Sequence, residues 1–195
     1  MMLQNLELKA SISSVSGAVR VTRRLKAHRK GMYLQRDIYY EVPRGRLKLR
    51  VINNRAGELI FYCRPNKNGG RYSDYLILPV SNAKLANELY TAAFGQKVIV
   101  EKKRRLFLYK NSRIHLDEVF GLGIFIEFEV LVMHGKRQAK KLLELLSAEF
   151  GIQHKATIAK SYSDLLLNAK RAKRISPAAD GHRSPFLNED KKCSR

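Results

Sequence analysis

Acidic residues are scarce. The chain has 195 residues, with 17 aspartates and glutamates against 38 lysines and arginines, for a formal charge of +21. Such an imbalance says little about fold but much about partners, because it attracts polyanions and repels polycations. Cysteine is nearly absent: Cys63 and Cys193 cannot build a disulfide scaffold, so a reducing compartment is expected. No run approaches the roughly 18 apolar residues of a membrane span. The first twenty residues carry Glu7, Lys9 and Arg20 and no continuous apolar segment, so a secretory signal is not expected. No Gly-x-x-x-x-Gly-Lys-Ser/Thr run occurs, which excludes P-loop chemistry. No second histidine stands at metal spacing from His115, which argues against zinc. Repeats of 20–50 residues are missing too, so solenoids and propellers are excluded.

What is present is enough for a core. Hydrophobic residues make up 45% of the chain, which excludes wholesale disorder. Composition changes near Asn168: residues 1–168 read as one folded domain, and residues 169–195 as a disordered basic tail with two Ser-Pro steps. The Lys170–Arg174 cluster in that tail would serve as a weak nuclear-localisation patch. The expected location is the cytoplasm, with the nucleus as an alternative.

Within residues 1–168, alternating runs predict eight strands: Leu3–Ile12, Tyr33–Val42, Arg46–Asn53, Glu58–Arg64, Arg71–Val80, Gln96–Lys110, Ser112–Val119 and Gly123–Met133. Helices are expected over Ser14–Lys30, over Asn82–Phe94 behind a Ser81 cap, and over His134–Phe150. A short fourth should begin at a Ser161–Asp164 capping box. The fold class is therefore α+β.

The polar faces of these strands are unusual. Residues i and i+2 of a strand share a face. By that rule Glu7 and Lys9 lie together, as do Arg46, Lys48 and Arg50. Arg113, His115 and Asp117 share a face, and so do Glu127 and Glu129. Tyr62 pairs with Arg64, and Lys102 with Arg104; Cys63 then falls on the opposite, apolar face. Any one strand taken alone fits an ordinary half-exposed sheet with its charges in solvent. Together they do not, because solvated faces mix Ser, Thr, Asn, Glu and Lys, whereas these concentrate guanidinium and ammonium on some strands and paired carboxylates on others. Eight strands suffice to close a barrel. Its charged faces could point inward and its apolar faces could pack beneath helices. Carboxylates suit Mg²⁺ or Mn²⁺, arginines suit phosphate oxygens, and phosphoryl transfer needs both.

These residues resemble the CYTH family, the triphosphate tunnel metalloenzymes, which include class IV adenylate cyclases and thiamine triphosphatases. The resemblance rests on Asn5-Leu-Glu7-Leu-Lys9, Gln35-Arg-Asp37-Ile-Tyr39, Gly45–Arg50, Tyr62–Pro65, Arg71–Tyr75, Lys102-x-Arg104, Arg113–Glu129 and Ser161–Leu166, in order over about 160 residues. It implies an eight-stranded antiparallel barrel, a triphosphate tunnel, with helices packed outside. It implies Glu7, Glu127 and Glu129 as metal ligands for Mg²⁺ or Mn²⁺, with Lys9, Glu127 and Glu129 catalytic. Lys9, Arg46, Lys48, Arg50, Arg64, Lys102, Arg104 and Arg113 would grip phosphates, with Asp117 and His115 in support. Asp117 would sit near the metal or orient a basic neighbour, and His115 is read as a hydrogen-bonding structural group. The implied activity is hydrolysis or cyclisation of a triphosphate-containing small molecule: a nucleoside triphosphate, thiamine triphosphate or tripolyphosphate.

One departure stands out. Asn5 replaces the first glutamate of the family's Glu-x-Glu-x-Lys, and an amide brings no charge and cannot act as a base. That keeps open a non-catalytic module binding polyphosphate, a nucleotide or an RNA 5′-triphosphate. The thiamine triphosphatase lysine near the last strand has no clear counterpart, Lys155 and Lys160 being the candidates. Nine cations and five anions on inward faces give the channel about +4, leaving about +17 for the exterior and tail. Such an exterior suits non-specific contact with RNA or another polyanion.

Overall fold

The computed structural model describes residues 3–65, 69–133 and 135–175. Eight strands form one closed antiparallel barrel: β1 (Leu3–Ser11), β2 (His28–Tyr40), β3 (Arg46–Ile52), β4 (Ala56–Cys63), β5 (Arg71–Val80), β6 (Gln96–Tyr109), β7 (Ser112–Val119) and β8 (Gly123–Leu131). Their order around the barrel is β1-β5-β4-β3-β2-β6-β7-β8, with β8 pairing back to β1. Four α-helices accompany them: α1 (Val15–Arg24), α2 (Ala83–Phe94), α3 (Lys136–Glu149) and α4 (Tyr162–Ile175). No helix among the described residues is long and apolar enough to cross a membrane.

The barrel is inside-out relative to an ordinary core. Outward apolar residues of β1, β7 and β8, including Leu8, Leu116 and Phe128, pack under α1 and α3. Those of β2 and β3, Ile38, Tyr40, Leu47 and Leu49, pack under α2. A third cluster closes one end of the barrel interior. There Val98, Val100, Val119 and Phe125 meet Tyr162, Leu165 and Leu166 of α4. Burying these faces under helices is what lets the opposite faces carry charge.

Local chemistry sets the ends of the elements. Asn53 and Asn54 both take positive φ, which closes the β3–β4 turn. Ser14 Oγ caps α1 by accepting from Gly17 N. The capping box of α4 forms in full: Asp164 N donates to Ser161 Oγ at 3.1 Å, and Ser161 N donates to Asp164 Oδ2 at 3.0 Å.

Four expectations are corrected. The helix expected over Ser14–Lys30 ends at Arg24, because Lys26 takes a φ of +54° and His28–Lys30 enter β2 instead. Asn82, not Ser81, caps α2 through its Oδ1. Cys63 is exposed rather than packed, because it ends β4 beside the barrel rim. α4 runs to Ile175, so the boundary placed after residue 168 falls inside a helix. The rest of the expected tail lies outside the described residues.

Leu146 on α3 is fully buried against the β1–β8 face. Leu146→Ala should lower stability by about 2–5 kcal/mol in urea unfolding while leaving the charged barrel interior in place, because the residue lies outside the barrel.

Candidate functional site: a charged tunnel through the barrel

The barrel interior encloses about 670 Å³ of empty space, part of it open to solvent. Seven cationic and four anionic side chains line it, a net +3. All the sequence-predicted phosphate-gripping residues except Arg46 lie on its wall: Lys9, Lys48, Arg50, Arg64, Lys102, Arg104 and Arg113. Arg46 stands at the rim, where it pairs with Asp164 of α4 at 3.0 Å. Glu7, Glu127 and Glu129 also face the space. Lys155 and Lys160 are exposed outside it.

The charges divide between two walls. On β2, β3 and β6 a single carboxylate, Asp37, holds three cations. Lys48 Nζ lies 3.0 Å, Arg50 Nε 2.8 Å and Lys102 Nζ 2.6 Å from its oxygens. Burial alone would raise the Asp37 carboxyl, but Arg50, Lys102 and Lys48 outweigh it and hold it well below the usual carboxylate range. Asp37 and these three cations together keep a net +2. The lysines feel the cost: burial and the neighbouring Arg50 bring Lys48 down to about 7, although Asp37 opposes the shift.

The opposite wall, on β1, β5, β7 and β8, is richer in acid. Glu127 lies 3.5 Å from Lys9 Nζ and 3.1 Å from Arg104. Asp117 accepts two hydrogen bonds from Arg104 and a third from the Tyr162 hydroxyl at 3.0 Å. Asp117 thus orients a basic neighbour, one of the two roles the resemblance implied. Glu129 meets Arg113 at 3.2 Å. Burial would raise the Glu127 carboxyl, yet Lys9, His115 and Arg104 hold it well below its ordinary range. Glu129 is lowered too, against its burial, chiefly by His115. Burial brings the Lys9 ammonium down to about 8.

Three donor groups on this wall converge. Oxygens of Glu127 and Glu129 and a ring nitrogen of His115 all lie within 4.8 Å of one another. His115 Nδ1 is 3.7 Å from each carboxylate, buried, and without a hydrogen-bond partner. The buried Asn5 Oδ1 likewise has none. Two carboxylates with an unused imidazole nitrogen fit a divalent cation. Glu7 does not join them: Arg64 binds its carboxylate directly, and Arg71 Nε lies 3.8 Å away. His115 therefore takes the position among the clustered donors that the sequence reading gave to Glu7.

Other tunnel residues had no assigned role in that reading. Asp37 was counted only as an inward anion, although the Gln35-Arg-Asp37-Ile-Tyr39 alternation already put it on the charged face. Tyr162 was visible only as the residue after a helix cap. It lies under the Lys9 ammonium, which sits 3.9 Å from the ring centroid. Nothing local in the sequence says that the start of α4 reaches into the barrel.

A sequence profile of the CYTH domain matches residues 3–162. The chain belongs to the CYTH family. Among solved structures, this CYTH chain is similar to a protein from Pyrococcus horikoshii OT3, with 24% identity and a TM-score of 0.75 over 83% of this chain and 98% of that one. It is similar to a candidate adenylate cyclase from Vibrio parahaemolyticus, with 18% identity and a TM-score of 0.71 over 85% and 98%. A Hippeastrum candidate adenylyl cyclase with a dominant triphosphatase activity shares 14% identity, with a TM-score of 0.61 over 86% and 96%. At these identities the likeness is one of fold. No curated protein matches the sequence.

Lys48 gives this site a pH signature. Its amine is near half-protonated at neutral pH in the free protein, and a triphosphate beside it favours the charged form. Binding should take up protons between about pH 7 and 9, and affinity should fall as pH rises through that window. Calorimetry in two buffers of different ionisation enthalpy measures the uptake, and Lys48→Met should remove most of it. Stability of the free protein should run the other way. The unfolded lysine, at ~10.4, binds more protons than the folded one, so the Lys48 contribution grows as pH rises from about 7 toward 10.5.

Proposed function

We propose that this CYTH domain binds a triphosphate-containing small molecule in its tunnel and, with Mg²⁺ or Mn²⁺, breaks a phosphoanhydride bond as water, or the substrate's own hydroxyl, forms the new bond to phosphorus. The observation that carries the reading is the division of the tunnel: a wall where Asp37 and three cations keep a net +2, facing a carboxylate-rich wall whose donors fit a divalent cation.

Lys48, Arg50 and Lys102, fixed by Asp37, would seat the phosphates that stay in place. Arg104 and Arg113, held by Asp117 and Glu129, would grip the phosphoryl group in transfer, bidentately where geometry allows. Glu127, Glu129 and His115 would hold the cation, which supplies charge neutralisation and Lewis acidity when bound. Lys9, lowered to about 8, would give a proton to the departing phosphate oxygen. The buried wall keeps each of these groups fixed before the ligand arrives, which is where electrostatic catalysis gains most.

The test is a turnover screen of ATP, thiamine triphosphate and inorganic tripolyphosphate with each metal, following both phosphate release and cyclic product. Turnover of at least one is expected; inertness toward all three overturns the enzymatic reading. Glu129→Gln should cut that turnover by roughly 10²-fold or more while moving the melting temperature by only a few degrees.

Asn5 favours a second reading, a binding module without turnover. The amide stands near the converging carboxylates with its buried carbonyl unpartnered, and contributes no charge. In that case tripolyphosphate should still raise the melting temperature by ligand linkage, and Asn5→Glu should create metal-dependent turnover that the wild type lacks. If the wild type turns over unaided, the module reading fails. If neither protein turns over and neither is stabilised by tripolyphosphate, both readings fail.

A further inference from the structure

The tunnel accounts for only a small part of the +21 charge. A large share of the remainder lies in the stretch from Arg20 to Lys30, which holds six lysines and arginines and no acid. The fold splits this stretch between the last turn of α1 and the first residues of β2. Arg20, Arg23, Arg24, Lys26, Arg29 and Lys30 are all exposed. Arg24 pairs with Glu149; the other five make no ion pair with the described residues. The apolar members of the stretch point the other way: Leu25 and Ala27 pack with Val19 against the buried cluster outside β1 and β8. The outer face is thus cationic, paired among the described residues at Arg24 alone, and its own stretch is bare of apolar anchors.

We propose that this face of α1 and β2 docks the phosphate backbone of a nucleic acid, without regard to base sequence. Three features select that partner. A protein partner would need buried aromatic or aliphatic anchors at the centre of its contact, and Arg20–Lys30 exposes none. A membrane surface would need apolar side chains to insert, and those of α1 are spent on the barrel. The cations recur one helical turn apart on α1, about 5.4 Å, and on β2 Lys30 falls at the irregularity between Arg29 and Gly31, where the regular alternation of the strand is broken. A gap of one turn suits phosphates separated by a sugar better than phosphates joined through a single oxygen. Arg20–Lys30 holds no phenylalanine, tyrosine or tryptophan to stack on a base, and its one exposed ring is the small imidazole of His28, so the contact reads mainly charge.

The test is anisotropy of a labelled uridine oligonucleotide of about twenty residues, titrated with the full chain between about 50 and 200 mM salt. Log affinity should fall linearly with log salt, by about 0.7 per phosphate neutralised. Arg23→Gln, Arg29→Gln and Lys30→Gln combined should flatten that slope by about 2 and weaken binding at least tenfold at 100 mM salt. The melting-temperature rise with tripolyphosphate should be unchanged in the same variant, because none of the three touches the tunnel. Saturating tripolyphosphate should leave the oligonucleotide bound. An unaltered slope in the triple variant overturns the proposal. So does displacement by tripolyphosphate, which would put the RNA in the tunnel. Long-chain polyphosphate or polyglutamate binding this face as tightly as the oligonucleotide, charge for charge, would overturn the choice of partner.

Discussion

Everything in this molecule depends on one electrostatic constraint: charges removed from water must be paired. Taking a carboxylate or a guanidinium into a barrel costs several kcal/mol unless a partner and hydrogen bonds compensate. The interior meets that cost by sharing. Asp37 serves Lys48, Arg50 and Lys102 at once, and Arg104 serves both Asp117 and Glu127. The sharing is incomplete by design of the composition, since cations outnumber acids. The surplus positive charge is the attraction left for an anion, already desolvated and aimed.

That constraint also explains the helices. Strands with charge on the inner face have their apolar residues on the outer one, and an exposed apolar sheet face would aggregate. α1, α2 and α3 cover much of those faces, so most of the hydrophobic core is a shell around the barrel, with the α4 cluster filling one end of the interior. The charged lining and the helical coat are two halves of one alternating sequence pattern.

Alternation is why so much was legible. Leu6, Leu8 and Ala10 against Glu7 and Lys9, or Ile126, Phe128 and Val130 against Glu127 and Glu129, state the two faces of a strand directly, and all eight strands follow from such runs. Closure into a barrel came from the count of strands and the polarity of the set. What the sequence hid was contact between distant elements. That Glu7 would be held by Arg64 while His115 joined the carboxylates depends on how β4 and β7 approach β1 and β8 in three dimensions. Cys63 failed because a face rule does not say where a strand reaches the rim. The Ser14–Lys30 helix failed because one lysine with left-handed backbone cut a basic run that helical propensity alone would have continued.

α4 gives the tunnel a direction. Its first turn inserts Tyr162 against Phe125, with ring centroids 5.1 Å apart, while Leu165 and Leu166 join the apolar cluster that fills that end of the barrel. Arg113 and the exposed Ile77 lie toward the other end. The chamber therefore has an apolar floor on that side. Anything lodged among the charges has hydrocarbon at its back on that side, so the two ends of the barrel are not interchangeable.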